Sequence, residues 1–134
     1  MSPCLDMVLR LLLAVALGAV IGYQRERAHK AAGLRTHILI SLGAALFTVV
    51  SNFGFSGTVD PSRVAAGVVA GVGFIGAGVI FRGMTGERLA GLTTAASIWA
   101  TAAVGLAAGA GLRLIAIIAA VITFGVLMIP KAKG

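Results

Sequence analysis

The chain has 134 residues, of which 59% are hydrophobic and only 11% charged, and its mean hydropathy is +1.05. An average soluble domain carries roughly 25% charged residues, so this composition excludes a soluble fold and indicates one membrane domain. The net charge of +7 does not indicate nucleic-acid binding, because Lys and Arg sit at the ends of apolar runs rather than on a basic face interleaved with aromatic residues.

Apolar stretches bounded by charged or turn residues run from Met7 to Tyr23, Thr36 to Asn52, Val64 to Phe81, Leu92 to Ala108 and Leu114 to Ile129. Each is roughly 16 to 18 residues, near the short end of what crosses a bilayer. They lack the alternation of a barrel strand, and backbone in lipid must satisfy its own hydrogen bonds, so they are expected to be helices. The expected fold is all-α: a polytopic membrane protein of five transmembrane helices forming a single transmembrane domain over residues 1–134.

The first stretch does not read as a cleaved leader, since Asp6 interrupts any positive segment before it, and it is expected to be retained. Cys4, the single cysteine, has no partner for an intramolecular disulfide or a metal site and reads as a small hydrophobe. The following loop carries Arg25, Arg27, Lys30 and Arg35. Glu26 and Lys30 are four apart, the spacing of a helix-surface ion pair. Arg35 lies at the mouth of the second stretch, after Gly33, where it can snorkel, hold a lipid headgroup or meet an acidic partner. It is therefore expected to matter more to function than Arg25.

In the second connection, "TVDPSR" reads as a helix start, with Asp60 as N-cap, Pro61 in the first helical position and Arg63 in the first turn. The third stretch contains "GVGFIGAG", which spells G-x-G-x-x-G at Gly71, Gly73 and Gly76. A dinucleotide loop needs a strand before it and a helix after it in a soluble alternating fold, which this chain does not offer. On a helix, Gly67, Gly71 and Gly78 form one stripe while Gly73 and Gly76 face the other way. Small residues let helices approach closely in lipid, so all five are expected to be packing positions on a central helix, and Gly71→Leu and Gly76→Leu are each expected to disrupt packing. Glu87 and Arg88 in the third loop are placed to pair with each other or with the first loop.

Lys and Arg in short loops stay on the cytoplasmic side. The first loop, Arg82 and Arg88 in the third, and Lys131 and Lys133 at the C-terminus outweigh Arg10, Arg63 and Arg113 at the opposite ends, which indicates N-out/C-in. Shifting the chain by 58 residues aligns Gly18-Ala19 with Gly76-Ala77, "AGLRT" at Ala32 with "AGLTT" at Ala90, and Ile40 with Ile98. This reads as two parallel hairpin repeats plus a fifth helix, a pattern also found in transporters.

Polar residues within the stretches are Ser41, Thr48, Ser97, Thr101 and Thr123, with no carboxylate at mid-span. Hydroxyls in such positions usually bond to helix backbone, whereas ion pathways usually show an ionisable group. No catalytic set, metal-ligand cluster or phosphate loop is present in the sequence, so no enzymatic activity, cofactor or metal is expected.

The stretches "GAVIGYQRERAHKAAGLRTHILISLGAALF", "DPSRVAAGVVAGVGFIGAGVIFRG" and "GLTTAASIWATAAVGLAAGAG" closely resemble the transmembrane domain of the MgtC/SapB family of bacterial inner-membrane proteins. The resemblance implies a role in growth under magnesium limitation and in intramacrophage survival. It points to a regulator acting through a membrane partner, notably the F-type ATP synthase; a small oligomeric ion or solute transporter or channel is the alternative. The residues it singles out are Glu26, Arg27, Gly33, Leu34, Arg35, Thr36, Asp60, Arg63, Gly71, Gly73, Gly76, Gly78, Gly91, Leu92, Thr94 and Ala95. Membrane lipid, another membrane protein and a second copy of the chain are the expected partners. Virulence-type members carry a soluble C-terminal domain that this chain does not include. They also have Asn and Cys where Thr93 and Ala100 stand here, so a general member of the family fits better than the virulence factor itself.

Overall fold

A computed structural model describes residues 2–55, 60–83 and 91–130, with side chains of 82 and 83 left aside. It contains five helices: α1 (Pro3–Arg27), α2 (Leu34–Phe53), α3 (Ser62–Gly83), α4 (Leu92–Gly109) and α5 (Arg113–Leu127). The first four are long and apolar enough to cross a membrane. The fifth, at 15 residues, rises only about 22 Å and is shorter than a hydrocarbon core of about 30 Å. The all-helical expectation therefore holds, with the last helix short of a full span. The expected pairing of Glu87 with Arg88, and the anchors Lys131 and Lys133, lie outside the described residues.

Local chemistry explains where the helices begin. α1 starts before the apolar run because Ser2 accepts from the Leu5 amide at 3.1 Å and Pro3 occupies the first helical position. α3 starts the same way, with Asp60 Oδ1 accepting from the Ser62 amide at 3.0 Å, just after Pro61. α2 and α4 both start after a glycine, Gly33 and Gly91. Gly91 has a φ of 83°, in the left-handed region that glycine adopts without steric cost.

These starts extend the repeat. A shift of 58 brings Ser2-Pro3 onto Asp60-Pro61 and Gly33 onto Gly91. It also brings matching contacts together: Gly18 packs against His37 and Gly76 packs against Ala95, which are equivalent pairs under the same shift. Each hairpin thus closes at the same point in both copies.

α4 is the hub, packed against all four other helices, and α5 lies across α1 and α4. The core is built from small and medium residues: Ala14, Leu17, Ile21, Ala45, Val104 and Ala108 meet Ala116 and Ala120 of α5. A second cluster joins Ala44, Val72, Ile98 and Ala102. Backbones approach closely at Gly18, Gly22, Gly105 and Gly109, where an added methyl would collide with His37, Leu34, Ser41 and Ala45 respectively. These are the seams of the bundle.

The expectation that α3 is central is corrected. α3 packs chiefly on α4 and touches α2 only lightly. Of the five glycines expected to be packing positions, only Gly76 has a neighbour where a side chain would stand, an added Cβ lying 3.5 Å from Ala95 Cβ, whereas Gly67, Gly71, Gly73 and Gly78 face open space. A helical wheel gives the side on which glycines lie but not which neighbours stand there, and here the neighbours of α3 are α4 and, lightly, α2. Phe74 and Phe81 on α3 are 81% and 76% exposed, as suits an outer helix turned toward lipid.

Candidate functional site

The C-terminal end of α1 and the starts of α2 and α4 converge. Arg25, in the last turn of α1, is only 2% exposed, and its Nη2 donates to Thr94 Oγ1 at 2.8 Å. His37 of α2 is fully buried. Its Nδ1 lies 2.8 Å from the Gly33 carbonyl and its Nε2 2.9 Å from Ser97 Oγ. A carbonyl only accepts, so Nδ1 carries the proton, and a neutral ring leaves Nε2 free to accept from the Ser97 hydroxyl. That hydroxyl also lies 2.7 Å from the Thr94 carbonyl, so it chooses between two acceptors. The result is a buried polar chain, Arg25–Thr94–Ser97–His37–Gly33, linking three helices.

Glu26, beside Arg25 in sequence, points the other way. Its Oε1 accepts from the Leu34 amide at 2.9 Å, satisfying one of the free donors at the start of α2. The carboxylate sits directly against Gly33, where a side chain would displace it. The expected Glu26–Lys30 pair is therefore replaced by a cap across the turn, because α1 ends at Arg27 and the helical register that would bring the two together stops there. Glu26 also lines a shallow hollow of about 300 Å³ with Gly33, Leu34, Arg35 and Thr36.

Among the other residues singled out by sequence, Arg35 and Thr36 are exposed, Arg27 leans over Tyr23 with its guanidinium 5.8 Å from the ring centre, and Thr94 is buried against Arg25. Asp60 and Arg63 lie apart from this cluster, at the start of α3. Asp60 Oδ1 accepts from the Ser62 hydroxyl at 2.7 Å and from its amide, and these two bonds hold the carboxyl below the usual carboxylate range. Arg63 is exposed and meets Asp60 only through backbone, its amide 3.3 Å from the Asp60 carbonyl.

Arg25, His37 and Ser97 are the members of the site that sequence reasoning ranked too low. Arg25 looked like one loop charge among several; the clue lay in the helix register, which puts it on the same face as Gly18 and Gly22, three and four residues apart along that face. A second cluster was also missed. Near the start of α1, Asp6 pairs with Arg10 at 2.9 Å and with Arg113, while Arg10 donates to the Gly109 carbonyl at 2.9 Å. This clamp ties α1 to the end of α4 and the start of α5. The mid-span hydroxyls behave as expected: Ser41 donates to the Ala14 carbonyl of α1, and Thr48, Thr101 and Thr123 each donate to a carbonyl one turn back in their own helix.

The chain is 46% identical over 129 residues to YhiD of Escherichia coli (strain K12), provisionally named a magnesium transporter, covering 91% of this chain and 59% of that protein. It is 48% identical over 113 residues to MgtC of Brucella abortus (strain 2308), covering 84% and 46%. It is 45% identical over 119 residues to SrpB of Synechococcus elongatus, covering 81% and 65%. The chain thus spans about half the length of the curated relatives it matches. No solved structure matches it. The MgtC family profile covers residues 11–133, nearly the whole bundle just described, and the chain belongs to the MgtC family.

Proposed function

We propose that this chain is a non-enzymatic protein of the bacterial inner membrane that binds and modulates another membrane protein in adaptation to low magnesium or acid, with the F-type ATP synthase as the family-level target. The observation that supports this reading is the groove between α2 and α3. It encloses about 610 Å³ and is lined by apolar and small residues including Leu39, Gly43, Phe47, Gly67, Gly71 and Ile75. Under the repeat, this groove is equivalent to the seam between α1 and α4, which is closed by Arg25–Thr94 and packed around Ala14 and Val104. One seam of the pair is filled from within the chain and its twin is left open, with glycine faces toward the gap. Small residues on an open helix face favour close approach of another helix in lipid.

The test places a photoreactive residue at Phe47 and, as a control, at Ile118 on α5, with crosslinking in native membranes under magnesium limitation. Crosslinks from Phe47 to a membrane subunit of the ATP synthase or of another complex, lost in Gly71→Leu and not obtained from Ile118, are expected. Equal crosslinking from both positions, or from neither, would overturn the groove as the contact.

The second reading, a small oligomeric transporter, draws on the parallel repeat and on the name of the Escherichia coli relative. It predicts magnesium or proton flux into sealed proteoliposomes holding this chain alone. Tight vesicles with no flux above protein-free controls would remove it.

A further inference from the structure

Between the end of α1, the start of α4 and the end of α5 lies a hollow of about 740 Å³, walled by Gln24, Arg25, His29, Lys30, Gly91 and Thr94. Among the described residues, two buried atoms of the residues that wall it have no hydrogen-bond partner: Arg25 Nε and Gln24 Oε1. Arg25 spends one N–H on Thr94, and Gln24 spends its amide N–H on the Leu127 carbonyl at 3.1 Å. Among the described residues the ion pairs are those of Asp6, at the far end of α1, so Arg25 has no carboxylate partner there. Glu26 is turned away to cap α2. A buried guanidinium without a counter-charge is unfavourable, and so is a buried carbonyl oxygen without a donor.

We propose that this hollow binds a phosphate group that carries a hydrogen-bond donor beside it: the head of an acidic or zwitterionic phospholipid, or hydrogen phosphate itself. The anionic oxygens answer Arg25, whose guanidinium is fixed in place by Thr94 and whose planar fork suits phosphate. Lys30 and His29 extend the basic wall, as in other basic pockets between membrane helices that hold lipid heads. The neighbouring donor answers Gln24 Oε1. A glycerol hydroxyl, an ethanolamine ammonium or the P–OH of hydrogen phosphate supplies it, whereas the trimethylated head of phosphatidylcholine cannot. This site does not depend on the α2–α3 groove, so the two proposals succeed or fail separately.

The experiment uses the full chain, purified in mild detergent and stripped of lipid. Phosphatidylglycerol, phosphatidylethanolamine, phosphatidylcholine and inorganic phosphate are added separately, with bound molecules counted by native mass spectrometry and the fold followed by thermal denaturation. Phosphatidylglycerol or phosphatidylethanolamine is expected to bind and raise the melting temperature, with phosphatidylcholine weaker by about tenfold. Retention of lipid against excess inorganic phosphate assigns the site to a headgroup; binding of inorganic phosphate that displaces lipid assigns it to the free ion. Gln24→Leu is expected to erase the preference over phosphatidylcholine, and Arg25→Lys, which keeps the charge but loses the fork, to weaken every phosphate probe by about tenfold. The wild-type measurements stand even if a variant folds poorly. No saturable binding by the wild-type chain, or equal binding of all lipids with both variants unchanged, would overturn the proposal.

Discussion

Replacing Thr94 by Val keeps the side-chain volume and removes the acceptor that fixes Arg25. Hydrogen bonds to charged groups contribute about 1.5–3 kcal/mol in water-soluble proteins, and interhelical bonds in membranes about 0.6–1.7. Thr94→Val is therefore expected to lower stability by about 1–2 kcal/mol, read as a lower midpoint of denaturation in detergent. Arg35→Ala, at an exposed position, is expected to stay within about 0.5 kcal/mol. A midpoint for Thr94→Val equal to wild type would show that the bond carries no weight. In complementation under magnesium limitation, Arg25→Ala is now expected to impair growth more than Arg35→Ala, the reverse of the order that sequence suggests. Position in a loop rich in charges made Arg25 look solvated. What distinguishes it is the hydroxyl at Thr94, 69 residues away, and single-sequence reasoning has no way to bring those two together.

At the scale of helices, the existence and apolar character of the elements were legible because hydrophobic runs in lipid leave the backbone no other choice. Their starts were half legible. Asp60-Pro61 was readable as a cap, while Ser2-Pro3 became meaningful only as its repeat partner. Asp60 carries a pH consequence. Its carboxyl is held below the usual value of 3.8 by the two bonds from Ser62, so the cap is present above that value and is lost as pH falls through the lower folded one. Protection of the Ser62 amide from hydrogen exchange should drop in that acid window in the wild type, but not in Asp60→Asn, whose amide oxygen still accepts. Equal pH profiles would show that ionisation at Asp60 does not set the cap. Packing was less legible than capping, since every span carries small residues. Gly105→Ala puts a methyl into the Ser41 backbone and is expected to cost about 1–3 kcal/mol, whereas Gly71→Ala, facing open space, should leave the melting temperature unchanged. If Gly71→Ala proved the more damaging, α3 would have to sit more centrally than it does here.

For the whole molecule, the repeat organises both what is closed and what is open. Two hairpins begin with side-chain caps at equivalent positions and close at equivalent residues, yet α1 of the first is packed on α4 and covered by α5, whereas α3 of the second touches α2 only lightly. The asymmetry leaves an open groove and two polar ends of different character: the Asp6–Arg10–Arg113 clamp, held by a shared carboxylate, and the Arg25 end, where among the described residues no carboxylate pairs with the buried guanidinium. The rule that retains Lys and Arg on the cytoplasmic side predicts that the second of these lies inside, which can be tested with the single cysteine. Cys4 is exposed at the start of α1, so a membrane-impermeant maleimide applied to spheroplasts should label the wild-type chain, while a Cys4→Ser, Arg35→Cys variant should react only after lysis. The opposite pattern would put the Arg25 hollow on the outer leaflet. The lipid heads available to it, and any cytoplasmic source of phosphate, would then change with it.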